Sequence, residues 1–216
     1  MPQQHSPMLI DFEGLDCSFK ETNSKKLASH LDGKRYEFPD YSSEGSYFVR
    51  QFLSGKYKDV DDRNPIMIAY LMEMFDVWNT KVLPDIKNGL KFVIFDRFWY
   101  SNIYYQCNTD KDLLSLQIIK NTLKLPDCHL LFKMITDFDL TIKKIREKNS
   151  KDILESDEDK MRKVHAKFNS CTFPNVNCMY NINTFENGDF RSKDDIFNDI
   201  LSKFFVVYNS KLIGVI

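Results

Sequence analysis

Apolar positions along this chain fall into two registers. Short, nearly continuous apolar runs at 8–13 ("MLIDFE"), 36–39 ("YEFP"), 91–96 ("KFVIFD"), 130–135 ("LLFKMI") and 177–182 ("NCMYNI") have the length of buried strands. Between them, apolar residues recur at helical spacing over 22–31, 46–53, 65–87, 112–122, 140–148 and 157–168, and again over 193–205 after the last run. Strands alternating with helical crossovers predict an open α/β sheet of five parallel strands. Ligands of such sheets lie beyond the carboxyl ends of the strands, so the residues following 13, 39 and 96 carry the functional interest. No repeat or linker interrupts the pattern, and 1–216 reads as one domain. The polar stretch at 147–159, "EKNSKDILESDED", is the one segment suited to a mobile surface lid.

Composition narrows the classes. With 30 basic and 31 acidic residues the net charge is -1, which disfavours recruitment of nucleic acid or an anionic membrane. No apolar run approaches the roughly 20 residues of a membrane span, and no basic-then-apolar leader opens the chain, so a cytoplasmic protein is expected. The five cysteines form no CxxC pair, which suits a reducing compartment and disfavours a zinc site.

The first strand runs into Gly14-Leu15-Asp16-Cys17-Ser18-Phe19-Lys20-Glu21. A phosphate-binding loop reads G-x-x-x-x-G-K-[ST], with amide groups at a helix N-terminus turned toward the anion. Gly14 and Lys20 are in register. Phe19 stands where glycine is usual, and a phenylalanine held at positive φ there is strained by about 1–3 kcal/mol. Glu21 stands at the metal-binding hydroxyl position, leaving Thr22 as the substitute. By spacing alone, a plain strand-turn-helix fits as well as a nucleotide site.

After the third strand come Asp96 and Arg97, alone an ordinary surface ion pair, but beside the first loop an acid suited to Mg²⁺ and a planar fork suited to phosphate. Ser101, Asn102 and Gln106 follow at spacings able to present amides to a base edge. Asp40 and Tyr41 follow the second strand, and the helix beyond directs Phe48, Phe52 and Leu53 inward. Met72, Phe75 and Trp78 recur at packing positions, within the fold or against a second subunit. Arg146, Lys148 and Lys151 are the cations that could close over phosphates from the polar stretch.

Taken in order, "FEGLDCSFKET", "FPDYSSEGSYFVRQFLSG", "FDVW", "FDRFWYSNIYYQ", "LPDCHLLFKMI" and "DILESDEDKMRKVHAKF" resemble the thymidylate kinases, from about residue 8 to 206. The resemblance implies the three-layer α/β/α fold of the P-loop nucleoside monophosphate kinases and a homodimer packed through helices. It implies transfer of the ATP γ-phosphoryl group to a deoxynucleoside monophosphate, usually dTMP, with Mg²⁺. ATP would be held by Gly14, Cys17, Ser18, Phe19, Lys20, Glu21, Thr22 and Arg146, and the metal by Asp96 and Thr22. The acceptor would meet Asp16, Phe38, Tyr41, Arg50, Arg97, Ser101, Asn102 and Gln106, with Asp16, Lys20 and Arg97 serving the chemistry. The family usually writes "GLDGSGK", so Cys17 and Phe19 both replace glycine. Val77 stands where an arginine is expected to follow Asp76, Glu73 stands at the place of the base-stacking aromatic, and Tyr41 is arginine in many members. These departures set an active kinase against a catalytically silent homologue that keeps the dimer. A nucleoside kinase using Asp40 as base is the third expectation.

Overall fold

The computed structural model describes residues 6–57, 64–147 and 157–212. Strands β1 (Met8–Gly14), β2 (Lys34–Glu37), β3 (Phe92–Asp96), β4 (Leu130–Ile135) and β5 (Cys178–Asn183) form one parallel sheet in the order β2-β3-β1-β4-β5. β1 is buried throughout, as its unbroken apolar start requires, and its pleat divides the core. Met8, Ile10 and Phe12 join the layer formed by α1 (Lys20–His30) and α9 (Lys193–Leu212), through Leu27, Ile196, Ile200 and Phe204. Leu9 joins the opposite layer, where α3 (Asn64–Val77), α5 (Ser101–Tyr105), α6 (Asp110–Thr122) and α8 (Glu158–Ser170) contribute Met67, Leu71, Ile103, Leu116, Val164 and Phe168. The architecture is the expected three-layer α/β/α.

Side-chain caps set several helix starts. Thr109 and Asp112 form a reciprocal capping box on α6, while Asp137 and Asp157 accept from the first-turn amides of α7 (Phe138–Arg146) and α8. The chain leaves β1 toward β2 on one side of the sheet while β4 lies on the other, so the crevice opens above the ends of β1 and β3.

Three expectations need correction, and one element is new. The second strand spans 34–37 instead of 36–39: Phe38 and Pro39 lie beyond it, joined by a cis peptide bond, and Pro39 has no N–H for a ladder. The long helix over 65–87 is α3, a π-helical turn at Trp78–Val82 and α4 (Leu83–Lys87). In α2 (Tyr47–Leu53), Val49 and Phe52 make the inner face, so Phe48 falls on the outer one and is 58% exposed. A short antiparallel hairpin, β6 (Phe185–Glu186) and β7 (Asp189–Phe190), follows β5 and was not foreseen. Most of the expected lid, 148–156 with Lys148 and Lys151, lies outside the described residues.

Candidate active site

Gly14 ends β1 where no side chain fits: a β-carbon there would stand 2.7 Å from Ser18 Oγ and 3.0 Å from the backbone oxygen of Met134. The loop then turns through two left-handed residues, Cys17 at φ 61° and Phe19 at φ 63°, the two positions where glycine was expected. Each β-carbon strains the turn by about 1–2 kcal/mol, and hydrophobic contacts offset it. Cys17 packs against a cluster of Phe138, Ile142, Ile145 and Met161. The Phe19 ring meets Phe190 of β7 edge-on, 5.3 Å between centroids at 84°, and leans on the α1–α9 layer. Asn23 fastens the helix start, donating its amide N–H and its side-chain Nδ2 to the Phe19 carbonyl at 3.0 and 2.8 Å.

Beside this loop lies a cavity of about 670 Å³, walled by residues 16–22, Arg35, Glu37, Phe38, Asp96, Arg97, Lys144 and Phe190 among others. The Phe19 ring is part of the wall and leaves the cavity open. Lys20 is buried at its base and donates to the Leu15 carbonyl and to Ser18 Oγ. Burial, reinforced by Arg97, lowers its pKa to about 8, although Asp16, Asp96 and Glu13 pull the other way. Glu21 and Thr22 both line the cavity, and the Glu21 carboxylate pairs with Lys25 one turn on. Arg146 is 65% exposed and pairs with Glu158, so Lys144 and not Arg146 borders the cavity from α7.

Arg97 is also left-handed, at φ 66°. Its guanidinium donates to Asp16 Oδ1 at 2.6 Å, to the Gly14 carbonyl at 2.7 Å and to the Tyr104 hydroxyl at 3.0 Å. The frame beneath is Glu13, fully buried, which accepts from the Phe98 amide at 3.0 Å, Ser101 Oγ at 2.6 Å and the Tyr104 hydroxyl at 2.7 Å. Burial raises the Glu13 pKa against the opposing pull of Arg97 and these donors. Ser101, an expected acceptor-binding residue, thus commits its hydroxyl to Glu13. Asp96 receives Arg35 Nη2 at 2.6 Å and Ser24 Oγ at 3.4 Å. Arg35 escaped the sequence reading because the second strand was placed two residues too late.

A second recess of about 120 Å³ adjoins the first through Asp16, Phe38, Pro39, Tyr41 and Arg97, which line both. Its depth is formed by Tyr70 and Met74 of α3, Leu53, Tyr105, Asn102 and Gln106. Asn102 Nδ2 donates to the Trp99 carbonyl at 3.2 Å, while its Oδ1 is buried without a hydrogen-bond partner among the described residues. Glu73 does not face this recess. It is fully buried and accepts from the Asp40 amide at 2.7 Å, so the aromatic wall comes from Tyr70 and Tyr105. Val77 is core, and α3 sends no cation into the recess. Arg50 lines neither cavity; it donates to the Tyr41 and Ser43 carbonyls at 2.8 and 3.2 Å and braces the loop that carries Tyr41. Asp40 pairs with Lys81 at 2.5 Å and borders neither cavity, which removes it as a general base there.

Two recesses of unlike character meeting at one arginine, the larger beside the loop that follows Gly14 and a buried lysine, suit transfer of a phosphoryl group between two bound nucleotides. The fold and site define the class of P-loop nucleoside monophosphate kinases. The family model described as thymidylate kinase matches residues 12–187. A probable thymidylate kinase of Methanocaldococcus jannaschii is 33% identical over 75% of this chain and 84% of its own length. One of Methanococcus aeolicus is 27% identical, over 90% and 94% respectively. Among solved structures, the thymidylate kinase of Candida albicans superposes with a TM-score of 0.70 at 18% identity, covering 94% of this chain and 93% of its own. That of Ehrlichia chaffeensis gives 0.68 at 19%, over 92% and 99%. The chain belongs to the thymidylate kinase family and is a phosphotransferase.

Proposed function

We propose that the protein transfers the γ-phosphoryl group of ATP to dTMP. The donor's phosphates lie over the amides of residues 17–22 in the large cavity, and the acceptor's base enters the small recess. The observation that carries this reading is the arrangement of the recess: aromatic walls, with the amide residues Asn102 and Gln106 in its lining. A pyrimidine ring is flat enough for such a slot, and amide side chains match the N–H and carbonyl groups of its edge. Arg97 stands between the two recesses, where acceptor and donor phosphates converge. Asp16 orients that guanidinium. Lys20 leaves the Leu15 carbonyl for the donor phosphates, and the negative charge of the phosphates restores its proton affinity.

The donor set fits magnesium. Asp96 is a hard carboxylate on the cavity wall with the Thr22 hydroxyl nearby, and no group of three or more metal-binding side chains is present among the described residues. One carboxylate completed by substrate phosphates is the usual manner of holding Mg²⁺, which when bound neutralises charge on the phosphates. The dimer is supported by apolar stripes on two touching helices. Ile68 and Met72 on α3 and Leu114 and Ile118 on α6 are 42–57% exposed, and a two-fold copy would cover them. Among the described residues no helix is long and apolar enough to cross a membrane.

Substitution Asn102→Ala tests the acceptor assignment. It should raise KM for dTMP roughly 5- to 50-fold, about 1–2.5 kcal/mol, with KM for ATP unchanged. Equal KM for dTMP in the two proteins contradicts placement of the base in this recess.

A further inference from the structure

Asp96 does not stand alone at the cavity wall. In the β2–β3 register Glu37 lies directly opposite Asp96, and two carboxylates so placed repel. Arg35, two residues back on the same face of β2, reaches forward between them. Its Nη2 lies 2.7 Å from Glu37 Oε2 and 2.6 Å from Asp96 Oδ2, and its Nε donates to Ser24 Oγ of α1 at 2.9 Å. The guanidinium is only 14% exposed and Asp96 only 9%, so this pair is little screened by water. Arg35, Glu37 and Asp96 all line the cavity that holds Lys20 and Thr22.

We propose that Arg35 is a displaceable counter-ion of Asp96, competing for that carboxylate with the divalent cation that a donor nucleotide brings. The proposal rests on the reading of Asp96 as the metal-facing carboxylate. A divalent ion outbids a single positive charge at one carboxylate when phosphates supply its other ligands. Arg35 tolerates the exchange because Glu37 remains within reach and the phosphates occupy the same cavity, so its charge is never left buried and unpaired. The exchange sets the metal requirement of the enzyme: the free protein keeps Asp96 neutralised, and only nucleotide and metal together release it.

The test is Mn²⁺ binding to the whole protein with saturating ATP and no acceptor, followed by electron paramagnetic resonance. Arg35→Met, which keeps the aliphatic bulk, should bind Mn²⁺ roughly tenfold more tightly, equivalent to about 1.4 kcal/mol. Arg35→Lys should fall between the two. Glu37→Gln leaves Arg35 to Asp96 alone and should weaken Mn²⁺ several-fold, an effect that must vanish in the Arg35→Met background if Glu37 acts through Arg35. Unchanged or weaker Mn²⁺ binding in Arg35→Met, with Asp96→Asn still abolishing the protein's contribution, overturns the competition and leaves the metal assignment standing. Asp96→Asn without effect on Mn²⁺ overturns both.

Discussion

Replacing Phe19 by glycine separates strain from obstruction in the phosphate loop. At φ 63° the phenylalanine β-carbon is unfavourable by about 1–2 kcal/mol, which glycine recovers. Against that gain stand three losses. The edge-on contact with Phe190, at 5.3 Å, is worth about 1 kcal/mol. Partial burial of the ring against the α1–α9 layer adds about 1–2 kcal/mol. The greater freedom of glycine in the unfolded chain takes about 0.5–1 kcal/mol. The net is a destabilisation of about 0.5–3 kcal/mol, or a fall in Tm of roughly 2–9 °C for a chain of this size. The backbone already holds the left-handed turn and the ring already stands aside. ATP affinity should therefore change by less than roughly threefold, about 0.6 kcal/mol. Thermal denaturation and calorimetric titration of ATP read both quantities. A Tm increase would mean that strain outweighs packing, and a gain in ATP affinity above roughly tenfold would mean that the ring obstructs the phosphates. Phe190→Ala, which loses the contact with no relief of strain, should lower Tm at least as much.

The pKa of Lys20, about 8 in the free protein, makes ATP affinity pH-dependent. Polyphosphate binds the ammonium form and raises its pKa, so binding takes up a proton; affinity should fall by up to about tenfold per unit as pH rises above 8. Lys20→Arg should flatten that fall, and an equally steep fall in Lys20→Arg would assign it to another group. Asp11, fully buried on β1 with both oxygens unpartnered among the described residues, has its pKa raised by burial first and then by Glu13. Its unfolded counterpart ionises near pH 4 while the buried acid does not, so stability is lost as pH rises above that value. Asp11→Val should stabilise the fold by about 1–3 kcal/mol at pH 7, with the gain shrinking toward pH 4. Denaturant unfolding at several pH values measures this, and a gain that is constant with pH contradicts a protonated Asp11.

The sheet was legible because β1, β3 and β4 are buried on both faces and read as apolar runs with little interruption. The loop was legible in part for a stereochemical reason: spacing from Gly14 to Lys20 marks residue 19 as the left-handed position and Phe19 takes it, whereas Cys17, also left-handed, was marked only by the resemblance to "GLDGSGK". β2 was placed late because "KRYE", on the edge of the sheet, alternates charge with one buried tyrosine, and Arg35 was missed with it. Its pairing with Asp96 depends on cross-strand register, which one strand alone does not carry. Tyr70 and Met74 were missed because the phase of α3 was taken from Glu73. That glutamate serves the Asp40 amide, and the π-helical turn that follows α3 leaves no local signature. The hairpin bearing Phe190 did leave a signal, since Asn187-Gly188 is the dipeptide that tight hairpin turns favour, and both residues have positive φ.

The most direct measurement is turnover with ATP, Mg²⁺ and dTMP, scored for ADP and dTDP together. Equal amounts of the two products, lost in Lys20→Ala while dTMP still binds, is the expected result. Binding of both nucleotides to the wild-type protein with no dTDP formed would contradict it and leave a silent member of the family.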